Sequence, residues 1–196
     1  MKKLYSFLAF ALFFLSCAGL FAQTTYSETP GAPIDPGSGG QTYTSTITVS
    51  GGTTSITDID VGVDITHTWA GDIDIDLTSP AGTTVRIMDD GAVNSSSDDV
   101  VVTMDDAAAT PHNTNMGTIQ PANPLSAFNG EDANGTWTMV VTDDAGGDGG
   151  TWNSWSMMIT GAAGIPTLSE WGLIILTLLV LNIGTVRLLR LEGQTA

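Results

Sequence analysis

Between Ile56 and Leu77 the chain alternates aliphatic and acidic residues with a period of two. Ile59, Val61, Val63 and Ile65 stand between Asp58, Asp60, Gly62 and Asp64, and Ile73, Ile75 and Leu77 follow Asp72, Asp74 and Asp76 in turn. Successive side chains of a strand point to opposite faces, so this pattern gives one apolar and one acidic face. Wound as a helix, it would scatter both kinds of residue around the axis. Each segment is therefore expected as a strand whose apolar face needs a covering layer. Thr68 to Gly71 can turn the chain between them, which predicts a hairpin.

Further strands are expected at Tyr43–Val49, Thr84–Met88, Val100–Met104, Thr136–Thr142 and Thr151–Thr160. Clusters of Gly, Asn, Asp and Pro at 79–82, 89–99, 129–135 and 143–150 separate them. Lys and Glu, common helix formers, are scarce in this span, and no helical period is visible. Seven or more short strands, each with one apolar face, predict an all-β sandwich over residues 42–161. Some 120 residues of this kind can bury a core without disulfides.

Charge narrows the functional classes. The 196 residues hold 21 Asp and Glu against 5 Lys and Arg, a formal net charge of −16. Lys2, Lys3, Arg187 and Arg190 lie at the ends, leaving Arg86 alone in the body. Nucleic-acid binding needs Lys and Arg against phosphate and is excluded on this ground. One cysteine, Cys17, excludes a disulfide framework and a cysteine-based zinc cluster.

Both ends carry targeting patterns. Residues 1–22 read as a signal peptide: Lys2 and Lys3, an apolar run from Leu4 to Leu15, and Ala22 as the residue before cleavage. A second reading stays open, in which Cys17 is acylated as in lipoproteins, although Leu15 stands where such signals carry a small residue. Residues 23–41, with Pro30, Pro33 and Pro36, are expected as a flexible linker. Near the other end, 171–186 is almost wholly apolar and is expected as one transmembrane helix, rising about 24 Å. Leu188 and Leu189 extend it toward the roughly 30 Å bilayer core if Arg187 snorkels. Arg187 and Arg190 then face the cytoplasm, with the middle of the chain outside.

Just upstream stand Ile165, Pro166, Thr167 and Leu168, followed by Ser169-Glu170-Trp171-Gly172. This octapeptide, with the apolar span and basic tail after it, resembles the IPTL-type C-terminal sorting signal over residues 165–191. The resemblance implies processing by an exosortase-like sorting peptidase in a Gram-negative bacterium. The protein would be held at the inner membrane through its C-terminal helix before processing, then released or transferred to the cell surface. An ordinary single-span anchor is the plainer alternative.

The body of the chain also resembles a known family. Residues 65–83, Ile-Thr-His-Thr-Trp-Ala-Gly-Asp-Ile-Asp-Ile-Asp-Leu-Thr-Ser-Pro-Ala-Gly-Thr, are similar to the "HT..GDL…L.SP.GT" signature of the P domain (P/Homo B domain). Pro124-Leu125, Phe128-Asn129-Gly130-Glu131, Asn134 to Asp143, and Asp148 to Met157 follow in family order. Ile73 replaces the usual Leu, and Trp152 stands where an aliphatic residue is common. The resemblance implies a jelly-roll β-sandwich similar to galactose-binding domains. P domains are best known following the subtilisin-like domain of kexin- and furin-type proprotein convertases, which they stabilise.

No catalytic machinery is expected. A subtilisin-like domain has no room before Gln41, and no Gly-x-Ser-x-Gly elbow occurs. His67 belongs to the structural signature, and His112 sits in a polar loop. Abundant Asp is weak support for a glycosidase, because acidic strand faces already account for it. Carboxylates at alternate strand positions stand about 6.5–7 Å apart and repel one another. Calcium suits such oxygen clusters outside the cell, and the ligands expected are Asp72, Asp143 and Asp148. Asp105-Asp106 and Glu131-Asp132 could contribute if the fold brings them close. A solvated acidic surface is the alternative.

Trp137 and Trp155 are expected in the core, whereas Trp69 and Trp152 could pack or form an exposed platform for sugar or peptide. The long segment 107–123 is a candidate binding loop. The sequence thus reads as an exported, non-catalytic module of the cell surface, with a binding or structural role in adhesion or matrix toward a surface glycan or protein. The alternative is an accessory module for a secreted subtilisin-like endopeptidase.

Overall fold

The structure, a computed structural model, describes residues 22–34, 40–90 and 99–161, with Gly172 and residues 175–178. The chain divides into two units, 1–163 and 164–196. Among its described residues the first contains ten strands: β1 (Ala22–Glu28), β2 (Ala32–Ile34), β3 (Gln41–Val49), β4 (Ile56–His67), β5 (Ile73–Thr78), β6 (Thr84–Met88), β7 (Val100–Met104), β8 (Met116–Ile119), β9 (Gly135–Asp143) and β10 (Gly150–Gly161). One sheet has the order β1-β10-β4-β7-β8, with β2 also on β10, and the other has the order β3-β9-β5-β6. Among the described strands only β7 and β8 pair in parallel. The result is an all-β sandwich.

The alternation decides the inward faces. In one sheet Ile59, Val61, Val63 and Ile65 of β4 stand beside Ile159, Met157, Trp155 and Trp152 of β10. Val100, Val102 and Met104 of β7 flank them on the other side. The second sheet presents Ile73, Ile75 and Leu77 of β5 and Trp137, Met139 and Val141 of β9, and all of these residues are buried in one core. Trp137 meets Phe128 edge to face at 5.1 Å, and its Nε1–H donates to the Ala133 carbonyl at 2.9 Å. The acidic partners on β4 and β5 point outward and are only partly covered.

Three expectations are corrected. The strands β4 and β5 do not form a hairpin: they lie in different sheets, joined by an arch with a short 3-10 turn at Ala70–Asp72. Alternation marks an apolar face but cannot say from which side that face covers the core. Residues 23–41 are not a linker throughout, since β1 and β2 hold the free edge of β10, from Ala22 opposite Gly161 to Glu28 opposite Trp155. This pairing rests on main-chain hydrogen bonds, which a Thr-, Ser- and Pro-rich composition does not advertise. Pro33 is tolerated because β2 is an edge strand. The segment 107–123 also contains β8, a short edge strand added to β7.

The expected cleavage residue Ala22 is the first residue of β1, and the rest of the expected signal peptide lies outside the described residues. So does the sorting motif Ile165 to Leu168. In the second unit Gly172 and residues 175–178 are helical. Among the described residues no helix is long and apolar enough to cross a membrane.

Two outcomes follow from this packing. Trp137→Ala should cost about 3–5 kcal/mol in denaturant titration, the range for deleting a buried aromatic side chain. Deletion of residues 23–28 should bare the edge of β10, seen as faster hydrogen exchange between Trp155 and Gly161 and a lower melting temperature. Unchanged exchange there would return β1 to the status of a linker.

Candidate functional site

The inward phase of β4 runs Ile59, Val61, Val63, Ile65, and one step further reaches His67. That of β9 runs Trp137, Met139, Val141, and one step further reaches Asp143. The two polar residues come from opposite sheets and meet at the end of the core, His67 Nε2 lying 3.5 Å from Asp143 Oδ2, with side chains 0% and 1% exposed. Asp99 fixes the His67 backbone: its Oδ1 accepts from His67 N–H at 3.0 Å, and its own N–H donates to the His67 carbonyl at 2.8 Å. His67 Nδ1 lies 3.1 Å from Trp69 N and 2.9 Å from Trp69 O. When Nδ1 accepts the Trp69 N–H, the ring proton sits on Nε2 and faces Asp143. A doubly protonated ring presents the same Nε2–H. Gly150 lies opposite His67 on β10, and a Cβ there would collide with the Thr66 carbonyl oxygen, so this close approach requires glycine.

Neither carboxylate oxygen of Asp143 accepts a hydrogen bond of ordinary geometry. Burial pushes its pKa up, while His67 and the Ala145 amide pull it down. Asp72 begins the arch's exit into β5, and the Asp144 N–H donates to the Asp72 carbonyl at 3.1 Å. The Asp72 carboxyl is also raised, first by burial and then by the charges of Asp148, Asp143 and Asp144. Asp148 returns to this end on the loop between β9 and β10, where Gly147 has φ +109°. It lines an open cleft with Pro33, Ile34, Thr68, Gly147, Gly149 and Gly150.

The fold places Asp72 beside Asp143, whose strand pairs with β5 at Ile73, while Asp148 returns on the following loop. Tighter still are Asp74, Asp89 and Asp90, whose oxygens lie within 4.8 Å of one another. Arg86 pairs with two of these, Asp74 at 2.5 Å and Asp89 at 3.4 Å, and with Asp76 at 2.7 Å. Two of the three acids therefore already have a cation.

The other acidic pairs do not join the site. Asp106 accepts the Leu125 and Ser126 N–H groups at 2.8 Å each, Asp105 accepts from Ala107, and Asp132 from Asn134. The Asp105 and Asp132 bonds cap turns two residues on, while Asp106 reaches across the chain to cap the start of the 3-10 turn Leu125–Phe128. Glu131 accepts from the Thr83 hydroxyl. Trp152 is fully buried, which removes it from any stacking platform, whereas Trp69 is 40% exposed. Trp137 and Trp155 lie in the core as expected. His112 is half-buried, its Nε2 accepting from Asp89 N–H at 3.3 Å. The cross-sheet pairing of His67 with Asp143 was not anticipated, yet counting each strand's inward phase one step further would have found it.

The class that this fold and its signature define is settled by comparison with known proteins. The proprotein convertase P-domain matches residues 56–159, over half of the chain, and the IPTL-CTERM motif matches residues 163–184. The chain belongs to the P-domain family, and β1 to β3 precede the matched span. A transglutaminase-activating metalloprotease of Streptomyces mobaraensis is 30% identical over 138 residues, covering 70% of this chain but 14% of that protein. The chain thus spans about one-seventh of that relative. A serine protease of Aeromonas sobria, solved with its chaperone, is similar at 20% identity and TM-score 0.46, over 74% of this chain and 27% of that one. A glycoside hydrolase family 86 β-porphyranase of Bacteroides plebeius is similar at 14% identity and TM-score 0.41, over 76% and 22%.

Crowded carboxylates give a pH signature. Asp60 on β4 is raised from 3.8 to about 6, chiefly by burial and then by Asp105, Asp58 and Asp106. A raised carboxyl favours the neutral form in the fold, so its contribution to stability is full below 3.8 and lost as pH rises through about 6. Asp60→Asn should therefore raise the melting temperature at pH 7.5 and leave it nearly unchanged at pH 3.5. An equal gain at both values would show that the effect is not electrostatic.

Proposed function

We propose that this chain is an exported, non-catalytic P-domain module, delivered to the surface or medium of a Gram-negative cell, where it serves a binding or structural role in adhesion or matrix. The observation that carries the reading is the succession, in one chain, of a P-domain and an IPTL-CTERM motif. The motif implies processing by an exosortase-like peptidase, with the apolar segment 171–186 as the membrane hold before cleavage. The sandwich is read as a jelly roll of the galactose-binding type, whose outward strand faces and end loops are open to a glycan or protein.

The buried pair supports the absence of catalysis. A serine-type triad needs a hydroxyl or thiol nucleophile on the histidine and access for substrate. Among the described residues no such group bonds to His67, and the ring has no exposed surface. Its role is to close the end of the core.

A second reading, an accessory module acting on a separate secreted peptidase, is favoured by the likeness to the Streptomyces metalloprotease. The two separate in a deletion strain: reduced surface adhesion with normal secreted proteolysis supports the first, and the converse supports the second. Replacing Ile165 to Leu168 with alanines should leave the chain uncut in the membrane fraction, read by immunoblot. Release of an unchanged processed form would remove the sorting motif from the account. Hydrolysis of casein by the purified full chain, lost in a folded His67→Ala variant, would overturn the non-catalytic reading.

A further inference from the structure

The two sheets differ in what they turn outward. On β3 the inward phase holds Ile47 and Val49, with Ser45, whose hydroxyl accepts from Trp155 Nε1–H at 2.9 Å. The alternate positions, Thr42, Thr44, Thr46 and Thr48, are all exposed. On β9 the inward phase holds Trp137, Met139 and Val141, which leaves Thr136, Thr138, Val140 and Thr142 outward, exposed or half-buried. The antiparallel register sets the two rows rank by rank: Thr42 opposite Thr142, Thr44 opposite Val140, Thr46 opposite Thr138 and Thr48 opposite Thr136. No bulge interrupts this pairing, whereas β4–β10 and β5–β6 are both shifted in register. The rows form a grid two strands wide and four ranks long, built of threonine and one near-isosteric valine.

Threonine is common on exposed strands, but propensity alone does not explain the contrast between the faces. The outward positions of β4 include Asp58, Asp60 and Asp64. The β3–β9 grid holds no charge in a chain with 21 Asp and Glu. Beside it on β5, Asp74 and Asp76 are held by Arg86 at 2.5 and 2.7 Å. A neutral face of this kind has no grip on an ionic partner, and it offers no aromatic ring for stacking. What it does offer is repetition. Outward residues two apart on a strand stand about 6.5–7 Å apart, and neighbouring strands about 4.8 Å. These two repeats, close to perpendicular, lie near those of the water oxygens on a prism face of hexagonal ice. Each threonine hydroxyl donates and accepts as water does, next to a methyl group that orders water without binding it. Branching at Cβ stiffens the first side-chain torsion, which keeps the hydroxyls in repeat. A charged side chain would instead draw water radially around itself and break the lattice.

We propose that the outward face of β3 and β9 binds ice, with the paired threonines as the matching array. Neighbouring strands turn by about 20–25° relative to one another. Two rows therefore depart least from a plane, and β5 and β6 turn progressively away. A patch of this size is expected to slow ice recrystallisation rather than to lower the freezing point deeply. The face acts whether the module serves adhesion or a peptidase, so its failure would leave the proposed function standing.

The test grows ice slowly on a cooled probe from a solution of the full chain in nonionic detergent. Chain in the ice is compared with chain in the remaining liquid by immunoblot, and a co-dissolved dye reports passive trapping. The wild type is expected to be enriched in the ice relative to the dye. Thr46→Tyr and Thr138→Tyr each set a ring at the middle of the grid, on strand positions that accept Tyr. Both should fall to the level of the dye with an unchanged melting temperature. Thr25→Tyr, exposed on β1 of the other sheet, should enter ice like the wild type. Exclusion of the wild type, retained enrichment in both grid variants, or equal loss in Thr25→Tyr would overturn the proposal. So would a dimer in light scattering that Thr46→Tyr separates, in a chain excluded from ice, because the face would then belong to a second copy.

Discussion

The facing of β4 and β9 across the core is the constraint on which the rest of this structure depends. Each strand commits every second residue to the interior, and the two commitments run to the same end of the sandwich, where they finish in His67 and Asp143. Four aliphatic residues on one strand and two aliphatics with a tryptophan on the other hold these polar ends in place. The apolar packing is thus what carries a carboxylate into a dry position that it would not take alone. The ring opposite supplies a proton-bearing nitrogen at 3.5 Å, too long for a strong hydrogen bond. The end of the core is closed by this pair.

Short polar ties fix the surrounding loops. Asp99 ties the end of β4 to the start of β7, the Asp144 amide ties β9 to β5, and Gly150 lets β10 run close against β4. The acids of this end, Asp72, Asp144 and Asp148, then surround a negative centre with no Lys or Arg among them. The Arg86 cluster shows the other solution available to an anionic sandwich, one guanidinium shared by three carboxylates. Beyond these local devices, an acidic exterior favours solubility and resists edge-to-edge association.

Much of the fold was legible because alternation of Ile and Val with Asp leaves little choice. The bounds of β6 and β7 and the inward faces of β4, β5 and β9 follow from residue type and spacing alone. What was not legible depends on distance in space. The arch from β4 to β5 looks like a hairpin because both strands carry the same pattern, and sheet membership is decided by partners far along the chain. The strand β1 was hidden because Thr, Ser, Gln and Glu can occupy an edge without any apolar signal, held by the main chain of β10. Asp72, Asp143 and Asp148 were named for their loops as calcium ligands, but Asp143 ends β9 inside the core against His67, a placement that loop chemistry does not reveal. Trp152 was left between packing and a platform because it lies near a turn, and its phase on β10 decides for packing.

The most direct test of the account is the tautomer of the His67 ring in the full chain, read by nitrogen NMR of the imidazole in the wild type and in Asp143→Asn. The account predicts a proton on Nε2 facing Asp143, and a shift of that resonance when Asp143 is replaced. A ring protonated only on Nδ1, with a bare Nε2 turned to the carboxylate and no response to the replacement, would contradict it.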